Sequence, residues 1–338
     1  FNLRTNEQVF LFSGLFKKHM NKPFFSKPTK SVQELVDQWE QRGLIIEDRE
    51  RTSRYLSYIN YYRFSVYTIP FQIKGDSGHR FNEGVTFDQV LETYVFDREL
   101  RLLAFDALER VEVAIKSQLC NVMCDETQDP FWLYEKRNFK DQKLYAHFMS
   151  RLDNELESSQ KAKYLCHKTP IQHYYSVYQG DYPPVWMVFE ILSFGQICRI
   201  YNNLTDVKVK KKIAKNFKLP FPLLSSWMLS LSNVRNIIAH HSRLWNRVFG
   251  TSLAKPKSKH VKWIENHRGY SSLEIMRRVY GVLCVLQYFL YTVSPHSGWA
   301  MRLHHLLEKY PNVSRKAMRI PEDWYSDPFW ESAFIKDK

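Results

Sequence analysis

Between Thr86 and about Cys120, apolar residues recur at helical spacing: Leu91, Tyr94, Val95, Leu102, Phe105, Leu108 and Ile115. That stripe predicts one long helix, and a helix of that length has to be covered by other elements of matching kind. Glycine is scarce, 11 in 338 residues, which fits a helical chain better than a loop-dominated one. Asp97/Arg101, Asp106/Arg110 and Glu112/Lys116 are spaced i,i+4 and read as exposed ion pairs. Arg98 and Glu109 fall close to the apolar stripe and read as a candidate buried pair, which would need partners.

The remaining segments read the same way. Ser31-Val-Gln-Glu34 is a capping box that predicts a helix to about Gly43, with Leu35, Val36 and Trp39 inward. Further helices are expected over about 48–64, 140–157, 185–203, 206–217, 222–249, 272–293 and 297–309. Gly75, Asp76, Ser77 and Gly78 signal a turn and suggest a short β-hairpin near 68–82. The predicted class is all-α, mainly a helical bundle. Three regions follow: 1–85, helical with the hairpin; 86–310, the helical core; and 311–338, an irregular tail rich in Pro and Trp.

A formal charge of +14 and an isoelectric point near 9.4 favour a polyanionic partner, nucleic acid before membrane. The most apolar run, residues 280–293, contains Gln287 and is too short to span a bilayer. No signal peptide is expected. The five cysteines are scattered, with no CxxC pair, so neither a disulfide framework nor a cysteine zinc site is predicted. Cys120 and Cys124 read as buried small hydrophobes, and Cys166-His167 is weighed as a metal set and set aside. Free thiols fit a cytoplasmic protein.

SNVRNIIAHHSRLWNR, residues 232–247, carries the chemistry. Placed on a helix, Leu231, Val234, Ile238, His241, Trp245 and Val248 form one apolar face, so His241 reads as a core histidine. Asn236, His240, Arg243 and Arg247 form a second stripe without any acid, a set suited to a phosphate. Arg235 lies about 100° from Asn236 and can serve that stripe or a site shared with a second chain.

Arg235-Asn236, three residues, then His240 resembles the R-(polar)-x3–5-H signature of HEPN domains. INYYRFSVYTIPF (59–71), FDRELRLLAFDALERVEVAIKSQL (96–119), PPVWMVFEILSFGQI (183–197) and RNIIAHHSRLWNR (235–247) occur in that order. Together they resemble the Abi-like abortive-infection family of the AbiD/AbiF type, over roughly residues 30–250. The resemblance implies a HEPN-like core within 86–310, phage defence, and a toxic RNase held in check by a partner. Some members of the family are associated with a small noncoding RNA. It also implies that Arg235 and His240 are the catalytic pair, that Asn236 fills the polar position, and that two chains pair to complete one site. No metal or other cofactor is expected.

Other surfaces support an RNA partner. Residues 208–218 hold six lysines, of which Lys208, Lys210, Lys211 and Lys212 are candidate phosphate contacts with Arg243 and Arg247. Lys255, Lys257, Lys259 and Lys262 repeat the theme. Arg54, Tyr58 and Arg63 can clamp and stack single-stranded RNA, or the tyrosines can pack inward. His296, His304 and His305 lack suitably spaced acidic or cysteine partners and are not read as a metal site. Two further readings stay open: an RNA-binding module that uses the same basic helix without cutting, and a protein-interaction scaffold.

Overall fold

The computed structural model describes residues 26–161, 169–265, 267 and 269–334, and among them the chain forms fourteen α-helices and no strand. The class is all-α. The described residues divide into two compact units, the first ending at Phe87 and the second beginning at Asp88.

In the first unit, α1 (Val32–Gln41) opens on the predicted capping box and buries Val36 and Trp39. The helix expected over 48–64 is two helices, α2 (Arg49–Ile59) and α3 (Tyr61–Thr68). They break at Asn60, which has φ 70° and whose side chain accepts from Tyr62 N–H at 2.8 Å. Asparagine tolerates positive φ and caps well, so one residue ends a helix and starts the next. Trp39 lies 5.2 Å from Tyr61, 5.7 Å from Phe64 and 6.2 Å from Phe87, centroid to centroid, and anchors this unit's core.

The expected hairpin near 68–82 is absent. A single antiparallel bridge joins Gln72 and Phe81, and Ile73 N–H donates to Arg80 O at 2.9 Å. The turn is closed by side-chain chemistry instead. The Asp76 carboxylate accepts from Arg80 N–H at 2.8 Å and pairs with the Arg80 guanidinium at 3.1 Å. Those backbone groups are satisfied locally, so no ladder extends.

The second unit opens with α4 (Phe87–Thr127), which runs past the expected end at Cys120. Its buried face is Leu100, Ala104, Ala107, Leu108, Val111, Ile115 and Leu119. Leu102 and Phe105, expected inward, are exposed at 58% and 39%; Arg98 and Glu109 are exposed as well. The buried polar pair is instead Asp97 and Arg101, and Glu112 and Lys116 are also mostly covered. Small alanines mark the face where neighbours pack closest, so bulk alone pointed to the adjacent face.

After α4 the chain runs through α5 (Gln142–Lys161), α6 (Pro170–Val177), α7 (Val185–Ile191), α8 (Phe194–Asn203), α9 (Val207–Asn216) and α10 (Phe221–Ala239), followed by α11 (Ser272–Met276), α12 (Val279–Val293), α13 (Trp299–Lys309) and α14 (Pro328–Phe334). The helix expected over 185–203 breaks at Ser193, whose capping box with Gln196 starts α8. Gly195 permits close packing of α8 on α10, since a Cβ there would sit 3.2 Å from Ser232 Oγ. The apolar run 280–293 lies within α12 and is buried through Leu290. No helix among the described residues is long and apolar enough to cross a membrane. The tail is not irregular throughout: α14 buries Phe329 and Trp330, and Trp330 Nε1–H donates to Tyr280 at 3.1 Å.

The helix expected over 222–249 ends ten residues early, at Ala239. His240 is the C-cap and His241 takes φ 53°. His241 N–H donates to Ile238 O and Ser242 N–H to Ile237 O, both at 2.9 Å, the Schellman pattern of a terminated helix. The next turn is then held by α4. Asp97, fully buried, accepts from Leu244 N–H at 3.1 Å and Trp245 N–H at 2.6 Å, and pairs with Arg101.

Asp97→Ala is expected to cost about 3–5 kcal/mol, because it leaves the buried Arg101 charge without this partner and strips two amides of their acceptor. Urea denaturation of the variant checks this; a midpoint within error of wild type would remove Asp97 from the fold's framework.

Candidate functional site

The end of α10 determines how the 232–247 residues are displayed. Leu231, Val234 and Ile238 are buried as expected. His241 is not a core residue: with its left-handed backbone it turns away from the apolar face and is exposed. Leu244 and Trp245 remain buried, held by the Asp97 turn and not by a continued helix.

Asn236 and His240 are both exposed and one turn apart, and His240 N–H donates to Asn236 O at 3.0 Å. Their expected alignment with Arg243 and Arg247 does not form, since those arginines lie beyond the helix. Arg247 turns back on its own loop, with Nε–H donating to Arg243 O at 2.7 Å. Both arginines are half-buried.

Arg235 sits differently from its neighbour. It lines a cleft with Phe105, Glu112, Val113 and Trp186, whereas Asn236 lines a separate polar groove with Ser193, Gln196 and Arg199. The side chain is about one-third exposed, and its Nε lies 3.7 Å from Glu112 Oε2. That distance is an ion pair, not a hydrogen bond, and the buried Nε–H has no hydrogen-bond partner in the structure. Glu112 also lies 3.3 Å from Lys116 Nζ. By spacing alone Glu112 is half of a helical i,i+4 pair with Lys116, and no local pattern links it to Arg235, more than a hundred positions away.

The lysine-rich helix α9 divides its charges. Lys208 and Lys211 are exposed. Lys210 is buried instead, with its ammonium donating to Asn202 O at 2.8 Å, and burial lowers its pKa. It occupies the apolar face of an amphipathic helix, where phosphate cannot reach it. Lys212 is exposed but shared between Asp125 at 2.8 Å and Glu126 at 2.7 Å; those bonds raise its pKa to about 12. In the first unit, Arg54 and Arg63 are exposed, as are Tyr58 at 87% and Tyr62 at 83%. Tyr61 packs inward and accepts from Gln38 and Arg42.

No group of three or more His, Cys, Asp or Glu side chains among the described residues is arranged to hold a metal ion. Cys120 and Cys198 are buried, and burial pushes both thiols up to about 12, which leaves them unreactive. Cys166 and His167 lie outside the described residues.

With this geometry in hand, comparison with known proteins gives one match. A family model described as Abi-like protein matches residues 54–246, more than half of the chain. No curated protein and no solved structure matches.

Because His240 is an exposed C-cap with no packing role, His240→Ala is expected to change unfolding free energy by no more than about 0.5 kcal/mol. Thermal and urea melts of the variant test this; a larger loss would make His240 a structural residue.

Proposed function

The chain belongs to the Abi-like protein family, and on that premise we propose that it is a metal-independent HEPN-type endoribonuclease of abortive infection. Family membership points to abortive infection; the chemistry is our reading. The observation that carries it is the end of α10: an exposed histidine and amide one turn apart, beside an arginine whose Nε–H lacks a hydrogen-bond acceptor.

RNA supplies its own nucleophile. The 2′-OH attacks the adjacent phosphorus, the O2′–P bond forms and the P–O5′ bond breaks. His240 accepts the 2′-OH proton or donates one to the departing 5′ oxygen, as imidazole can at neutral pH. Arg235 stabilises the crowded negative charge on the phosphoryl oxygens, drawn away from Glu112 as phosphate arrives. Asn236 orients the histidine or a phosphate oxygen. The products are a 2′,3′-cyclic phosphate and a 5′-OH, and no step requires a metal.

Arg235 and Asn236 line different clefts, which favours a site completed by a second copy of the chain. Phe105, Val113 and Trp186, exposed at 39%, 55% and 49%, border Arg235 and supply apolar surface for a homodimer to cover. In this reading the enzyme works in the cytoplasm, restrained by a bound RNA or another partner until infection. Lys208, Lys211, Arg243 and Arg247 remain proposed RNA contacts of the second unit, and Arg54, Tyr58 and Arg63 of the first. A second reading, an RNA-binding module that does not cut, rests on the same basic residues and the charge of +14.

Incubation of wild type and His240→Ala with labelled RNA in EDTA decides between them. Wild type is expected to cleave, leaving cyclic phosphate ends, and the variant to lose about 10²–10⁴ in rate while keeping its RNA affinity. Equal cleavage by both proteins would exclude His240 from the chemistry. Tight RNA binding without cleavage by either, after any co-purified RNA is stripped, would establish the binder.

A further inference from the structure

Two adjoining cavities in the second unit share a wall that no reading of the motif includes. The first is a small, mostly apolar pocket of about 100 Å³ between α5 and α8, walled by Phe139, Tyr145, Phe148 and Ile200, with Leu144 exposed at its edge. The second is the polar groove of about 570 Å³ that contains Asn236. Arg151, Gln196 and Arg199 line both.

Arg151 and Arg199 can only donate, and Gln196 has its one acceptor oxygen occupied. Arg151 and Arg199 are exposed, and neither has a hydrogen bond or ion pair among the described residues. Gln196 is oriented by its capping box: Oε1 accepts from Ser193 N–H at 2.8 Å and from Ser193 Oγ–H at 2.7 Å. Because the Ser193 amide can only donate, the oxygen is fixed toward it and the Nε2 hydrogens point elsewhere. Glu155 is the one acid on the groove, one turn from Arg151 on α5. The pocket's own floor is already satisfied: Asn203 exchanges hydrogen bonds with the Asp141 backbone, and Tyr145 donates to Tyr134 O.

We propose that this pocket is a nucleotide subsite, in which one unstacked base of the RNA strand inserts between α5 and α8 while Arg151 and Arg199 hold the flanking phosphates and Gln196 donates to an acceptor on the base edge. The proposal rests on the nuclease reading for the strand's path, which runs from Asn236 through the groove to the pocket. Aromatic walls stack a base of any sequence, paired guanidiniums bind backbone, and an amide that can only donate discriminates among base edges. The subsite sets which nucleotide near the cut is recognised and has no part in bond cleavage.

The test uses the full chain carrying His240→Ala, so that RNA stays intact, and a labelled single-stranded RNA of mixed sequence. Three further variants are added to it: Arg151→Ala with Arg199→Ala, Gln196→Glu, and Leu144→Trp. Gln196→Glu keeps the acceptor that caps α8 and replaces the donor, so it leaves the fold in place. Leu144→Trp, at an exposed site, narrows the pocket mouth. The arginine double variant is expected to reduce the dependence of log affinity on log salt by about 0.7 for each guanidinium. Gln196→Glu and Leu144→Trp are expected to weaken binding about 5- to 100-fold, and photocrosslinking with 4-thiouridine RNA to label residues 144–148 or 196–200. Unchanged affinity and salt slope in all three, with crosslinks elsewhere, would overturn the subsite and leave the nuclease reading standing. No binding of RNA by the parent protein, with no cleavage by wild type, would overturn both.

Discussion

One buried carboxylate organises the end of α10 and the turn that follows it. Asp97 sits inside the second unit, bonded to the amides of Leu244 and Trp245 and paired with Arg101. A charge in that position is stable only when its partners are in place. Its consequence reaches the motif. With residues 244–245 bound to α4, the chain cannot continue α10 as a helix, and the Schellman turn at His240–Ser242 follows. His240 is thereby presented at a helix end and not partway along a face. Arg243 and Arg247 are diverted into a loop that satisfies one of their guanidinium hydrogens internally.

That arrangement gives α10 three outlooks at its last turn. Arg235 faces the cleft bounded by α4 and α7, Asn236 the groove bounded by α5 and α8, and His240 the end. A single chain thus distributes the residues of the motif over separate surfaces. The charge of +14 is similarly selective in its display. Lys210 is withdrawn into the core side of α9 and Lys212 is occupied by two acids, while Lys208, Arg151 and Arg199 face solvent. Counting basic residues overstates the surface available to phosphate; burial and pairing decide which of them count.

Much of the local structure was legible from residues alone because its determinants are local. The Ser31 capping box, the proline-led start of α7 and the amphipathic α9 are each written within about one or two turns of chain. The helix breaks at Asn60 and Ser193 are masked in the sequence, although both are good N-caps, because apolar periodicity runs straight through them. The end of α10 had no such local sign. His241 occupies a position usually given to glycine, and the carboxylate that captures the next turn lies almost 150 residues upstream.

The sequence by itself determined an all-α chain, a basic protein, and the ordered segments between residues 59 and 247 that resemble the Abi-like family. Each follows from composition, from period or from residues within a few positions of one another. The tertiary structure alone decided which charges are buried, that Glu112 neighbours Arg235, that His241 leaves the core, and that Arg151, Gln196 and Arg199 border the groove of Asn236. Those outcomes depend on which distant segments meet, and a long-range contact between a buried carboxylate and two backbone amides has no periodicity for a sequence to display.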